Sequence, residues 1–255
     1  MGRGGFGSVW EAWDTRLQRT VAVKSLAGAE SLPEAWGLRE ARLTARLRHP
    51  AFVTVHEVMH DAGRPYLVME RIEGSTLAEV AAKGPVAPAQ VRDWLRQAAE
   101  ALAQAHRQGV AHGDVKPSNL MIEPGGRLRL LDLGIAELQD PAATLGVPGT
   151  PAGGTLAYLA PERLLGARPD PASDAYSLGL TMHELLGGPR SSGGAGLLAI
   201  AHRRLTEDGA PAPAAGGSHD PTLSGLLDAM TRREPALRPD MATIAARLQA
   251  GTGGA

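Results

Sequence analysis

His112-Gly113-Asp114-Val115-Lys116-Pro117-Ser118-Asn119, written HGDVKPSN, follows a stretch of helical periodicity and precedes a short apolar run. A carboxylate, an ammonium and an amide are thus gathered in what must be a loop. The lysine stands out because the chain has only Lys24, Lys83 and Lys116, and arginine carries almost all other positive charge. What precedes and follows this loop decides what it is for.

Upstream, Val91, Leu95, Ala98, Leu102 and Ala105 recur at helical spacing between Pro88 and Gln108, and Gly109 stands in the usual position after a helix. Before that, AFVTVHEVMHD and RPYLVMERI read as two strands joined by a turn at Asp61, Ala62 and Gly63. Trp36, Leu43 and Leu47 predict one helix over Pro33–Leu47, stopped by His49-Pro50. GRGGFGSVWEAWD followed by TVAVKSL places a glycine-rich turn between strands.

Downstream, NLMIEPGGRLRLLDLG holds two short apolar runs about Pro124-Gly125-Gly126, a hairpin pattern. From Asp140 to Gly154 the chain is rich in Gly, Pro, Ala and Thr without a period, as expected of a loop that is either functional or disordered. Segments near 172–187, 195–205, 222–232 and 239–249 read as helices, and 207–221 as a polar connection. The pattern changes at residues 70 to 75, which predicts a small unit over 1–72 and a larger, mainly helical one over 73–255.

The composition suits a globular core with many loops: 43% hydrophobic, 21% charged, 32 Gly and 19 Pro in 255 residues. A formal net charge of -1 gives no electrostatic case for nucleic acid or an anionic membrane surface. With no cysteine, disulfides and thiolate–zinc sites are excluded. No apolar run approaches the ~18 residues of a membrane span and no leader pattern is seen, so a cytoplasmic chain, monomeric or weakly self-associating, is expected.

Gly2-x-Gly4-x-x-Gly7-x-Val9 could let backbone N–H groups face a phosphate, although such turns also occur in ordinary hairpins. Lys24 ends the strand VAVK, and Glu40 lies on the next predicted helix, where a glutamate can hold a strand lysine in place. HGDVKPSN then precedes Asp132-Leu133-Gly134 by one hairpin, and GTLAYLAPE follows at 154–162. Together, and in this order, these motifs resemble the protein kinase family, in particular bacterial serine/threonine kinases of the eukaryotic type. The resemblance runs through SDAYSLGLTMHELLGG to PALRPDMATI.

The resemblance implies an α+β, two-lobed fold and transfer of the γ-phosphate of ATP to Ser or Thr hydroxyls of proteins. It makes Asp114 the group that orients the hydroxyl and takes its proton, with Lys116 near the transferred phosphoryl. Asn119 and Asp132 would hold Mg²⁺, with Mn²⁺ able to substitute. Phosphoryl transfer is mostly positioning and charge neutralisation, which is why oxygen donors and a lysine are needed. Gly2, Gly4, Gly5, Phe6 and Gly7 would cover the phosphates that Lys24, held by Glu40, contacts. Val9, Ala22 and Met121 would enclose the adenine, with Met69 as gatekeeper and Glu70 to Ile72 as the hinge. Thr155 resembles the threonine that contacts Asp114 and Lys116 when Ser or Thr is the acceptor. Glu162 resembles the partner of Arg238, and Asp174 the helix acid that braces the catalytic loop.

Three departures bear on this reading. Gly113 stands where the family most often has an arginine that docks a phosphate, so activity is expected to depend little on autophosphorylation at Thr144 or Thr150. Leu133 replaces a phenylalanine, a mild change between apolar residues. Met1 immediately precedes the glycine loop, so the small sheet is expected to lack its first strand, through a mis-set start or through decay into a pseudokinase that scaffolds or binds nucleotide. The HGD triplet also occurs in small-molecule phosphotransferases, a weaker alternative because that group generally lacks the lysine two residues on, and lacks VAVK, APE and the Thr155 context together.

Overall fold

The computed structural model describes residues 3–4, 7–25, 47, 49–62, 64–132, 156–188, 197–209 and 220–250. The helix expected over Pro33–Leu47, apart from its last residue, and the loop at 140–154 lie outside them.

Five antiparallel strands form the first sheet: β1 (Arg3–Gly4), β2 (Gly7–Asp14), β3 (Arg19–Ser25), β4 (Val55–Asp61) and β5 (Arg64–Glu70), in the order β1-β2-β3-β5-β4. β1 lies within the Gly2-x-Gly4-x-x-Gly7 stretch, as two residues paired to the start of β2, and is not the strand ahead of that stretch that the small sheet is expected to lack. Asp14 shapes the β2–β3 turn, since its Oδ1 accepts the N–H groups of Arg16 and Leu17 at 3.0 and 3.1 Å, and side-chain oxygens that bond the backbone a few residues on favour turns. Register fixes what shares a face. Val9 and Leu67 lie opposite Lys24, and Glu11 and Met69 opposite Ala22. Because paired residues point to the same side and alternate residues share a face, Val9, Ala22, Lys24 and Met69 fall on one face of the sheet.

Between Glu70 and Ser75 the chain passes to a second, three-stranded sheet, β6 (Ser75–Thr76), β7 (Leu120–Ile122) and β8 (Leu128–Leu130). Gly74 makes this passage possible: its φ is +157° and a Cβ there would lie 2.1 Å from the Ile122 carbonyl oxygen. The segment before β4 ties the two sheets together, with Leu130 N–H donating to Ala51 O at 2.7 Å and Val53 N–H to Leu130 O at 3.3 Å.

The helices are α1 (Leu77–Ala81), α2 (Pro88–Arg107), α3 (Pro161–Leu164), α4 (Pro171–Leu185), α5 (Leu197–Thr206), α6 (Pro221–Met230) and α7 (Met241–Ala250). All five inward positions expected of α2 are fully buried. Along α4 every residue from Ser173 to Leu185 is buried, which marks a helix enclosed on all sides rather than one with an outer face. The core joins α2, α4, α6 and α7 with the second sheet. Among the described residues no helix is long and apolar enough to cross a membrane.

Helix starts follow their capping chemistry. Asp170 accepts the Ser173 N–H at 2.7 Å while Ser173 Oγ accepts the Asp170 N–H at 3.1 Å, a reciprocal cap on α4. Asp220 caps α6 through the N–H groups of Thr222 and Leu223 and also pairs with Arg92 of α2 at 2.6 Å. Replacing Asp170 by alanine is expected to cost about 1 kcal/mol of stability, read as a lowered denaturant midpoint with an unchanged slope. An unaltered midpoint would show that this end of α4 is held by packing alone.

Candidate active site

α2 ends in a turn at Gly109 (φ +73°), and the chain then enters the HGDVKPSN loop beneath the second sheet. The loop is hung from α4. Asp174, only 1% exposed, accepts His112 N–H on Oδ2 and Gly113 N–H on Oδ1, each at 2.8 Å, and the same Oδ2 takes a bond from His106 Nε2 at 2.8 Å. Gly113 has φ +79°, a left-handed conformation that costs a glycine nothing and strains other residues. The brace expected of Asp174 is therefore observed, with His106 of α2 as an added partner.

Three of the expected side chains meet in the loop. Lys116 Nζ lies 2.7 Å from Asp114 Oδ2, and Asn119 Nδ2 donates to that same oxygen at 2.7 Å and to the Asp114 carbonyl at 2.9 Å. Asp114 and Asn119 are both 7% exposed. Pro117–Asn119 forms a 3-10 turn, which brings Asn119 back onto Asp114.

The other half of the site is Lys24 and Asp132. Lys24 is buried on β3, and its Nζ stands 2.9 Å from Asp132 Oδ1. Asp132 has φ +46°, a sparsely populated conformation for any residue with a side chain, at a cost of about 1 to 3 kcal/mol. Leu131 links the halves: its N–H donates to Asn119 O at 2.8 Å, and its carbonyl accepts from His112 Nε2 at 3.1 Å. Asp114 N–H donates to His112 Nδ1 at 3.3 Å, so the imidazole is the tautomer with its proton on Nε2. His112 thus sets the separation of Asp114 from Asp132.

Around this centre Val9, Ala22 and Met69 share the Lys24 face, and Met121 sits on β7 opposite Thr76 and Arg129. Gly4 and Gly7 pair with each other across β1 and β2. Glu70 is itself tied in place by backbone and side chain. Its N–H donates to Thr54 O at 2.9 Å, and its carboxylate accepts from Thr54 N–H at 2.7 Å and from buried Arg129. Arg129 also reaches Glu123 at 2.9 Å. Burial pushes the Glu123 carboxyl up, but Arg127 and Arg129 outweigh it and hold the group below its ordinary range. Ile72 follows in the passage between the sheets. Gly2, Gly5, Phe6, Glu40, Leu133, Thr144, Thr150 and Thr155 lie outside the described residues.

The ion pair between Glu162 and Arg238 is present and bidentate, at 2.6 and 2.8 Å. Four residues with clear structural work were not singled out in the sequence: His106, His112, Ser177 and Arg204. His112 alone carried a signal, through its place in HGDVKPSN.

A family model described as protein kinase domain matches residues 1–247. The chain belongs to the protein kinase family. It is 39% identical to the serine/threonine-protein kinase PknA of Mycobacterium tuberculosis over 92% of its own length and 56% of that protein. It is likewise 39% identical to PknL of the same organism, over 97% of this chain and 63% of the relative. A probable serine/threonine-protein kinase of Streptomyces coelicolor is 34% identical over 94% of this chain and 36% of the relative. The chain therefore spans between about a third and two thirds of the length of these relatives.

Proposed function

We propose that this chain transfers the γ-phosphate of ATP to Ser or Thr hydroxyls of protein acceptors. The observation that carries the reading is the joining of Lys24–Asp132 to Asp114–Lys116–Asn119 through Leu131, which links two cations, two carboxylates and an amide by short polar contacts. A decayed site would be expected to have lost at least one of these residues, which speaks against a pseudokinase.

Asp114 Oδ2 is taken by Lys116 and Asn119, so among the described residues Oδ1 is the oxygen left to receive the acceptor proton. The acceptor oxygen then bonds to the γ-phosphorus as the bridging P–O bond breaks, ADP departs, and Lys116 offsets charge on the transferred group. Both bonds from the Asn119 amide nitrogen run to Asp114, which turns its amide oxygen to another ligand, and Asp132 has a second carboxylate oxygen beyond Lys24. These hard oxygen donors fit Mg²⁺, and Mn²⁺ equally well. Bound there, the ion would neutralise phosphate charge. Lys24 would hold the phosphates. Val9, Ala22, Met69 and Met121 would enclose the adenine, and since the Glu70 N–H is engaged, the Glu70 carbonyl and the Ile72 backbone are the hinge groups to meet it.

On this reading residues 1–72 form the nucleotide-covering lobe and 73–255 the catalytic and acceptor lobe, acting in the cytoplasm. Glu40 and Thr155 keep the roles that the resemblance gives them. Transfer of labelled γ-phosphate from Mg·ATP to a protein acceptor tests the reading directly, and no transfer by the purified full chain would refute it. With no side chain at Gly113 to dock a phosphate, the paired change Thr144→Ala with Thr150→Ala is expected to leave specific activity within about twofold. A loss of tenfold or more, about 1.4 kcal/mol, would show that loop phosphorylation acts through another cation.

A further inference from the structure

Arg204, near the end of α5, is 4% exposed. Its Nη1 donates to the carbonyls of Leu156 at 3.0 Å and Leu159 at 2.8 Å, and its Nη2 to that of Ala157. The carbonyl left in this stretch, that of Tyr158, accepts from Ser177 Oγ of α4 at 2.8 Å. Four consecutive carbonyls are therefore held by side chains from two helices, with one turn bond, Leu159 N–H to Leu156 O, within the stretch itself. The Tyr158 hydroxyl donates to Glu184, which fixes the ring side of the same segment.

Among the described residues no carboxylate pairs with Arg204. Burial lowers its pKa to about 10, which still leaves it charged at neutral pH. Its guanidinium carbon stands 6.0 Å from the centroid of the Tyr176 ring. A buried cation without an anionic partner is expensive, and a well-packed apolar side chain would often stabilise such a place more. What Arg204 supplies that an apolar residue cannot is a fixed fork of donors matched to three carbonyls.

The place of this segment gives the fork a purpose. Ser177, which holds Tyr158, is one turn along α4 from Asp174, which holds His112 and Gly113. Segment 156–159 and the loop bearing Asp114 are thus anchored to the same turn of one helix. That shared anchorage makes segment 156–159 a neighbour of the loop that carries Asp114.

We propose that Arg204 is a positioning residue for the protein acceptor, fixing segment 156–159 as a wall of the acceptor site without touching ATP. The inference rests on the phosphotransferase reading above. It predicts a split in kinetic effects that a merely structural role would not produce. With the full chain and dephosphorylated casein as acceptor, Arg204→Met should lower kcat/KM for casein by about tenfold or more, while acceptor-independent ATP hydrolysis and the KM for ATP stay within about twofold. Arg204→Lys, which keeps the charge but not the fork, should recover part of the loss, and Ser177→Ala, which removes one carbonyl contact, should show a smaller split of the same sense.

Equal loss of ATP hydrolysis and casein phosphorylation across these variants would overturn the inference, as would unchanged casein kinetics. Should Arg204→Met fail to fold, the Lys and Ser177→Ala variants decide the matter by the same two measurements. Absence of any transfer by the unsubstituted chain would instead remove the phosphotransferase reading, and the inference with it.

Discussion

Replacing Asp114 by asparagine is expected to lower phosphate transfer to a protein acceptor by about 10²- to 10⁴-fold, the range of a positioned proton acceptor. The substitution keeps the shape of the loop. The single oxygen of an asparagine there would be claimed by Lys116 Nζ and Asn119 Nδ2, the donors that now bond Asp114 Oδ2 at 2.7 Å each. An N–H would then face the acceptor hydroxyl, and nothing would accept its proton. Nucleotide binding should change little, since Lys24 and the Val9, Ala22 and Met69 face belong to the other sheet. Initial rates with labelled ATP, set beside a nucleotide-binding titration, check both halves. Residual transfer within about tenfold of the starting rate would show that positioning, not proton acceptance, is what Asp114 contributes.

The second large effect concerns stability. Arg238 has five N–H donors and all five are used: two on Glu162, and one each on the carbonyls of Ala172, Arg232 and Arg233, at 2.6 to 3.0 Å. Its side chain is wholly buried and its guanidinium carbon lies 4.9 Å from the Tyr176 ring centroid. Glu162→Ala would leave that charge buried with only carbonyls about it, a change of the kind that costs about 3 to 5 kcal/mol. For a chain of this size that corresponds to a Tm lowered by roughly 6 to 20 °C. Calorimetry measures it. A Tm shift of only a degree or two would mean that the three carbonyls suffice to hold the guanidinium, leaving Glu162 a local role at the start of α3.

Both effects were foreshadowed in the sequence, for different reasons. Asp114, Lys116, Asn119, Lys24 and Asp132 were legible because the chemistry restricts the residue types and because they sit in short, ordered motifs. The strands, the α2 stripe and the hairpin at Gly125-Gly126 were legible from periodicity and turn residues, which are local. Arg204 was not. His202-Arg203-Arg204 at a helix end reads as solvated cations near the negative pole of the helix dipole, and only the three-dimensional structure shows that the third of them turns inward. Ser177 and His106 were hidden in the same way, since their partners lie 19 and 68 residues away in the chain.

The enclosure of α4 on every side has a further consequence. Proteins open in cooperative pieces, and pieces with a solvent-facing surface and few buried contacts open first. A helix with no outer face cannot fray sideways. The Asp114 loop and the 156–159 segment, both hung from the turn that contains Asp174 and Ser177, therefore belong to the last unit to open, while the small antiparallel sheet, with exposed Trp10 and Trp13, opens more readily. The molecule divides into a slow, durable floor and a faster roof, joined where Leu130 meets Ala51 and Val53 and where Lys24 meets Asp132.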